Sequence, residues 1–394
     1  MIDIERTALS KYFLFGSLYV SEGLMIAITT VVTSLYLRQQ SVSIPLTTLV
    51  VGIANIPWIL KFLWGPIVDH YIRFGRKTFI IFGGLLSSSA LLLIGMVNPG
   101  TSLVLFTFLI FLGHIGIGFI DVSTDAWAID VSTEKNRGKI NGAMYAGQYT
   151  AWALGAGVLP LIGSIFGYHF AYLTTGLVIL LILVFPFCVK EMIRYSTKPQ
   201  IVSLALNEFK KKTTLLVALF APLVFMNEGI LSYIMPIYMR DSLGIGDVHI
   251  GFISMVFPIF LAVGSLAGGI TTDSIGRKKT LYVFLGLNAF FTALLILTSN
   301  WWTLALIYGA IGFLMGAHST VSCALFMDVT NPRIGATQFG IFTGIANGGL
   351  NGGGMITGSL VALLGFSRTF LYAAWVFGPT LLLLYYIPIK RKKK

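Results

Sequence analysis

Twelve long apolar stretches fill this chain almost end to end, and no other feature narrows its possible folds so far. They run at roughly 12 to 37, 46 to 68, 78 to 97, 102 to 128, 140 to 163, 169 to 189, 213 to 239, 249 to 272, 280 to 298, 301 to 325, 337 to 363 and 368 to 388. A hydrocarbon core about 30 Å thick needs about 20 apolar residues per helix. Within it, only helices or closed barrels satisfy the backbone. The runs are continuous rather than alternating, so they predict an all-α membrane protein with twelve transmembrane helices. With 56% hydrophobic and 11% charged residues, the chain has too little polar surface to cover a water-soluble globule of 394 residues. The first run is too long for the core of a signal peptide and no small-residue cleavage site follows it, so a retained membrane helix is expected.

Charge then sets the orientation. Of 27 Lys and Arg residues, 23 fall on one side of the twelve runs, among them Arg6, Lys11, Arg73 to Lys77, Lys135 to Lys139, Lys190 to Lys212, Arg277 to Lys279, Arg333 and the tail from Lys390. Arg38, Arg240 and Arg368 fall on the other side, and Lys61 lies inside a run. Basic loops stay in the cytoplasm, so both termini are expected there, in an integral multi-pass protein of the cell (inner) membrane. The net charge of +12 is therefore a topology feature. Nucleic-acid binding is not expected, because no soluble basic domain exists to carry it. Trp301 and Trp302 mark an outer interface.

The chain repeats itself. From Asp130 onward the offset is a constant 198 residues: Asp130-Val131 matches Asp328-Val329, Gly142 matches Gly340, and Gly167-Tyr168 matches Gly365-Phe366. Upstream, Ser21-Glu22-Gly23-Leu24 answers Asn227-Glu228-Gly229-Ile230. A basic hairpin also occurs twice, as Gly65, Asp69, Gly75, Arg76, Lys77 and as Gly269, Asp273, Gly276, Arg277, Lys278. Duplication of six helices keeps the orientation of the copy, since an even number returns the chain to the same side. The expected organisation is a six-helix bundle over 1–189, a cytoplasmic linker over 190–212, and a second six-helix bundle over 213–394 that ends in a short basic tail.

These features together resemble the major facilitator superfamily, over essentially the whole chain. Two strings, Lys61-Phe62-Leu63-Trp64-Gly65-Pro66-Ile67-Val68-Asp69 and Asp121-Val122-Ser123-Thr124-Asp125-Ala126-Trp127, are similar to the muropeptide permease and acetyl-CoA transporter branch. The resemblance implies the major facilitator fold of two pseudo-symmetric halves. It also implies a gating role for the hairpins, with Asp69 meeting the eleventh helix near Arg333 and Asp273 meeting the fifth near Arg137 and Lys139. A carboxylate at a helix N-terminus is worth about 0.3 to 1 kcal/mol, so such contacts would latch one state of the cycle. Arg76, Lys77, Arg277 and Lys278 belong to the same gating set. The other reading of these charges is that they only enforce topology.

Charges inside the membrane carry more information, because each costs about 2.5 to 3.5 kcal/mol at a helix centre. Runs 3, 6, 9 and 12 hold none in their cores, whereas Glu22, Lys61, Asp121, Asp125 and Glu228 lie on runs 1, 2, 4 and 7. This distribution is expected if the former face lipid and the latter surround a watered cavity. Glu22 and Glu228 fall near the midpoints of their runs, where water is scarce and a carboxylate's charged form is disfavoured. They are candidate proton carriers; a protonated Glu serving as a structural hydrogen-bond donor is the alternative. His114, Asp121 and Asp125 share one helical face, which could relay protons or simply form a polar wall. Metal binding is not expected, since no partner helix supplies ligand spacing. Lys61 could pair with Asp121 or touch an anionic solute.

For solute contact the candidates are Asn55, Trp58, Lys61, Trp127, Tyr145, Gln148, Trp152, Asn347 and Asn351, rings beside amides that suit sugars or amphiphiles. No hydrolase, zinc-protease or phosphate-loop motif occurs, so neither enzyme chemistry nor ATP-driven pumping is indicated, and no cofactor is expected. Cys188 and Cys323 form no motif. The expected protein is a monomeric, proton-coupled secondary transporter moving a small saccharide-bearing or amphiphilic solute by alternating access. Alternatives are a proton-driven exporter of amphiphilic or cationic compounds, or a lipid flippase.

Overall fold

The computed structural model describes residues 2–3, 8–132, 137–191, 201–331 and 334–388, and side chains throughout these stretches except at 2, 3, 8, 9, 62, 137, 138, 201–203, 273, 335 and 336. Among them the regular secondary structure is helical apart from a two-residue parallel strand pair, Ile2–Asp3 with Val189–Lys190. In chain order the membrane spans are α1 Ser10–Gln39, α2 Ile44–Ile59 continued by Trp64–His70, α3 Arg76–Ile94, α4 Leu103–Val131, α5 Lys139–Phe166, α6 Tyr168–Cys188, α7 Lys212–Asp241, α8 Asp247–Thr272, α9 Arg277–Leu297 and α10 Trp301–Val329. The last stretch, Thr337–Tyr386, is interrupted at Gly365 (φ 77°), which divides it into α11 (337–364) and α12 (366–386). Among the described residues this gives twelve candidate spans, in line with the apolar runs.

Each break has a local cause. In α2, Pro66 has no N–H to return to the carbonyl of residue 62, and a 3-10 turn at Leu60–Leu63 interrupts the helix, which resumes with a bend of 40°. In α1, the five residues Ile28–Val32 wind as a π turn, with the Thr33 hydroxyl donating to Ile28 O at 2.9 Å; such turns are frequent near functional sites. Gly75 and Gly276 take φ of 83° and 81° immediately before α3 and α9, a left-handed conformation that suits glycine. The two basic hairpins thus share this glycine conformation, although the first departs from the second by a 3-10 turn, Ile72–Phe74, ahead of its glycine.

The chain divides into two compact units. The first comprises Met1–Ser43, Ile53–Ser196 and Gly246–Met255; the second comprises Ile44–Gly52, Thr197–Ile245 and Val256–Lys394. In the first unit, α1 lies against α5 so closely that a Cβ added at Gly23 would sit 2.0 Å from Gln148 O. In the second, a Cβ at Gly229 would sit 1.7 Å from Leu350 O, so α7 and α11 repeat that approach. Backbones can meet this way only where the side chain is absent. Over an apolar 18-residue stretch, α1 is 83% buried, α4 56% and α7 50%, against 44% for α3 and α6 and 39% for α9. Runs 3, 6 and 9, which hold no charge in their cores, are thus more exposed than the charge-bearing runs 1, 4 and 7, in keeping with a lipid-facing position.

In the second unit a short linker helix, Ile201–Glu208, precedes α7. Glu208 accepts from Asn331 Nδ2 and Lys211 Nζ, both at 2.7 Å. These hydrogen bonds hold its carboxyl below the usual glutamate range.

Candidate functional site

The π turn and the Gly23 contact together fix α1 between α4 and α5 in the first unit. Tyr19 and Glu22, three residues apart, therefore present their side chains on one face of α1. Across from them on α4, Asp121 and Asp125 are one turn apart. Lys61 Nζ lies 3.1 Å from Asp121 Oδ2. Tyr19 Oη donates to Asp125 Oδ1 at 2.5 Å and lies 3.3 Å from Asp121 Oδ1. Gln148 Nε2 donates to Glu22 Oε2 at 2.8 Å, a contact that the close α1–α5 approach permits. The carboxyls of Glu22 and Asp121 are close enough to share a hydrogen bond once one carries a proton. Without that proton, Glu22 Oε1 is buried with no partner.

This cluster holds three carboxyl groups and one ammonium within a membrane-spanning bundle. Glu22 and Asp121 are buried, and Asp125 is half-buried. Full ionisation would leave two uncompensated negative charges there, and unpaired charge in such a setting is costly. Protons balance this ledger with no further ligand. Among the described residues no His, Cys, Asp and Glu group has a geometry that could hold a metal ion.

Sequence spacing alone places His114 with the acids, but its ring is engaged elsewhere. Its Nε2 lies 2.9 Å from Thr29 Oγ1 in the π turn, while Nδ1 has no partner. His114 is seven residues from Asp121, about 10 Å along the helix at 1.5 Å per residue. Conversely, Tyr19 was not marked by the sequence, because a tyrosine in an apolar run carries no charge and resembles packing.

The remaining candidates separate by environment. Trp58 and Lys61 are half-buried, with the Lys61 ammonium 5.4 Å from the Trp58 ring centroid, within range of a cation–π contact. Asn55 and Gln148 are also half-buried, and Tyr145 is 51% exposed and forms a T-shaped ring contact with Tyr19. Trp152 is buried, and Trp127 is fully buried against Phe15 with its indole N–H unpartnered. In the second unit Asn347 is half-buried. Asn351 is buried, accepts from Tyr233 and donates to Gly52 O at 3.0 Å.

Glu228 does not repeat the surroundings of Glu22. It is half-buried in the second unit, forms no hydrogen bond or ion pair among the described residues, and interacts electrostatically with Tyr308 and Cys323. The internal repeat explains the difference. By the offsets of the matching helices, Tyr19 becomes Phe225, Lys61 becomes Ser265, Asp121 becomes Ser319, Asp125 becomes Cys323 and Gln148 becomes Ala346. Only the glutamate is kept.

The hairpins have partners within their own units. Arg76 Nη1 lies 2.8 Å from Asp69 Oδ1 and Arg76 Nε 3.5 Å from Asp130 Oδ2. In the second unit Arg277 pairs with both oxygens of Asp328. Lys77 Nζ donates to Val189 O at 3.1 Å after α6, and Lys278 Nζ to Tyr385 O at 2.7 Å at the end of α12. Glu191 adds a feature specific to the first copy, accepting from the backbone N–H groups of Arg76 (2.5 Å) and Lys77 (3.0 Å) at the start of α3. Arg333 and the side chains of Arg137 and Asp273 lie outside the described residues.

Comparison with known proteins places this geometry. The Major Facilitator Superfamily profile matches residues 13–226 and 217–394. The chain belongs to that superfamily and is an integral membrane protein. It is 25% identical to the putative transporter AmpG 4 of Rickettsia conorii, over 97% of each chain. It is 22% identical to the anhydromuropeptide permease of Escherichia coli, over 92% of this chain and 77% of that one. A solved D-xylose–proton symporter superposes with a TM-score of 0.73 at 13% identity, covering 96% of each chain, and so shares the fold.

Proposed function

We propose that this protein is a proton-coupled secondary transporter that moves a small saccharide-bearing or amphiphilic solute by alternating access. The observation that carries this reading is the Glu22, Asp121, Asp125 and Lys61 cluster, which has more carboxyls than counter-ions and one buried carboxylate oxygen without a partner. A proton on Asp121 removes the attraction that holds Lys61. The partly exposed Lys61 side chain is then available to an anionic group of the solute beside Trp58. Proton and solute are thereby linked through one side chain. The names of the relatives above support a saccharide-bearing solute, and the rings and amides of Trp58, Tyr145, Gln148 and Asn55 suit one. Asp69 and Asp273, with Arg76, Lys77, Arg137, Arg277, Lys278 and Arg333, are proposed to latch and release one state of the cycle. Both termini are proposed to be cytoplasmic.

The test is uptake by the purified protein in liposomes under an imposed proton gradient, with anhydromuropeptide as probe. Accumulation that collapses with the gradient supports the reading. Accumulation that ignores the gradient refutes proton coupling. A second reading, export of lipophilic cations, draws on the acid excess of the same cluster, and proton-driven movement of a lipophilic cation would select it.

A further inference from the structure

Asp125 is half-buried, whereas Asp121 and Glu22 are buried. A proton arriving at Asp125 must cross to the other two. The group standing between them is the Tyr19 hydroxyl, buried (5% exposed) and in reach of both aspartates on their Oδ1 atoms at 2.5 and 3.3 Å. A phenol has one proton to donate and lone pairs to accept another, so it can hold a bond to each acid at once. We infer that Tyr19 relays protons between Asp125 and the buried pair Asp121 and Glu22. This rests on the proton-coupling reading and assigns the route within it.

The step balances without a charged phenol. Protonated Asp125 gives its O–H proton to the Tyr19 oxygen while the phenolic proton passes to Asp121 Oδ1. One O–H bond breaks and one forms at Tyr19, and the net change is one proton moved from Asp125 to Asp121. From Asp121 the proton reaches Glu22, whose free Oε1 supplies the next acceptor. The groups facing the phenol are Glu22 on its own helix, Asp121 and Asp125 on α4, and Tyr145 on α5; Lys61 on α2 reaches the cluster through Asp121. Phe225 stands at the equivalent place in the second half, where the acids are also absent, so the hydroxyl occurs only where there are two acids to join.

The test needs no solute. The full-length protein in liposomes is subjected to a pH drop, and carboxyl protonation is followed by time-resolved infrared difference spectroscopy, with bands assigned through Asp125→Asn, Asp121→Asn and Glu22→Gln. Tyr19→Phe keeps the ring and its packing and removes the relay. It should slow protonation of Asp121 and Glu22 roughly a hundredfold or more, the usual range for a lost proton-transfer group, while the Asp125 band rises at its normal rate. Tyr19→His, which can also donate and accept, should recover most of the rate, an outcome that a merely structural hydroxyl does not predict. Equal rates in wild type and Tyr19→Phe would overturn the relay. No titrating carboxyl in the wild type would overturn the proton-coupling reading itself and the relay with it.

Discussion

Lys61 shows how much one side chain decides here. Its ammonium is the counter-ion found for Asp121, and truncating one member of a buried pair leaves an uncompensated charge, at about 3 to 5 kcal/mol when burial is complete. The Lys61 side chain is 26% exposed, so solvent screening reduces that cost to less than about 3 kcal/mol. Lys61→Met should lower the thermal unfolding midpoint, and adding Asp121→Asn should restore most of the loss because the orphan charge is gone. A double variant no more stable than the single one would show that the pair does not govern stability. The chemistry of Lys61 and Asp121 was legible in the sequence because charges in apolar runs stand out. Tyr19 and Gln148 became legible as partners only with the structure, since polar uncharged side chains in a helix do not reveal what they face. Spacing also grouped His114 with the acids. Its partner is instead Thr29, on a π turn that residue periodicity does not predict.

Among the elements, the α1–α5 and α7–α11 pairs carry the tightest requirement. A Cβ at Gly23 or Gly229 would fall well inside contact distance of a backbone oxygen, which cannot move aside as a flexible side chain would. Gly23→Val and Gly229→Val should each destabilise by about 1 to 3 kcal/mol or more. Gly142→Val, where a Cβ meets nothing within 4 Å, should be nearly neutral in a thermal shift assay. Equal effects at all three would mean that backbone approach is not the constraint. The linker helix carries a pH-dependent contact. Because Glu208 sits below its ordinary value of 4.5, its bonds to Lys211 and Asn331 contribute fully above that pH and fade as the pH falls through the lower folded value. Glu208→Gln should remove this dependence, which hydrogen exchange over the linker helix can follow. The helices themselves were readable from apolar run length, and the structure shows that the matched Gly167 and Gly365, both at positive φ, stand where α5 yields to α6 and α11 to α12. The bend in α2 was not marked in advance, although Pro66, four residues after the interrupted turn, is its local cause.

For the whole molecule, the repeat explains both the fold and its asymmetry. Two copies of six helices share a positive-φ hairpin glycine, close glycine contacts and a mid-helix glutamate, but the acid cluster has been kept or built in the first copy only. If the hairpin aspartates latch one state, Asp69→Asn and Asp273→Asn should raise labelling of cysteines introduced beside Tyr145 by a reagent applied from the side of the basic loops, and should slow transport with little change in folding. Unchanged labelling in both would reduce these residues to topology markers. The central claim is that protons act through the α1–α4 cluster, and the most direct measurement is proton movement during solute flux. Liposomes carrying a pH-sensitive dye should report proton entry in step with anhydromuropeptide uptake for the wild type, and Glu22→Gln should show neither proton entry nor accumulation against a gradient. Wild-type accumulation driven by a proton gradient alone in both Glu22→Gln and Glu22→Gln/Asp121→Asn would contradict the account.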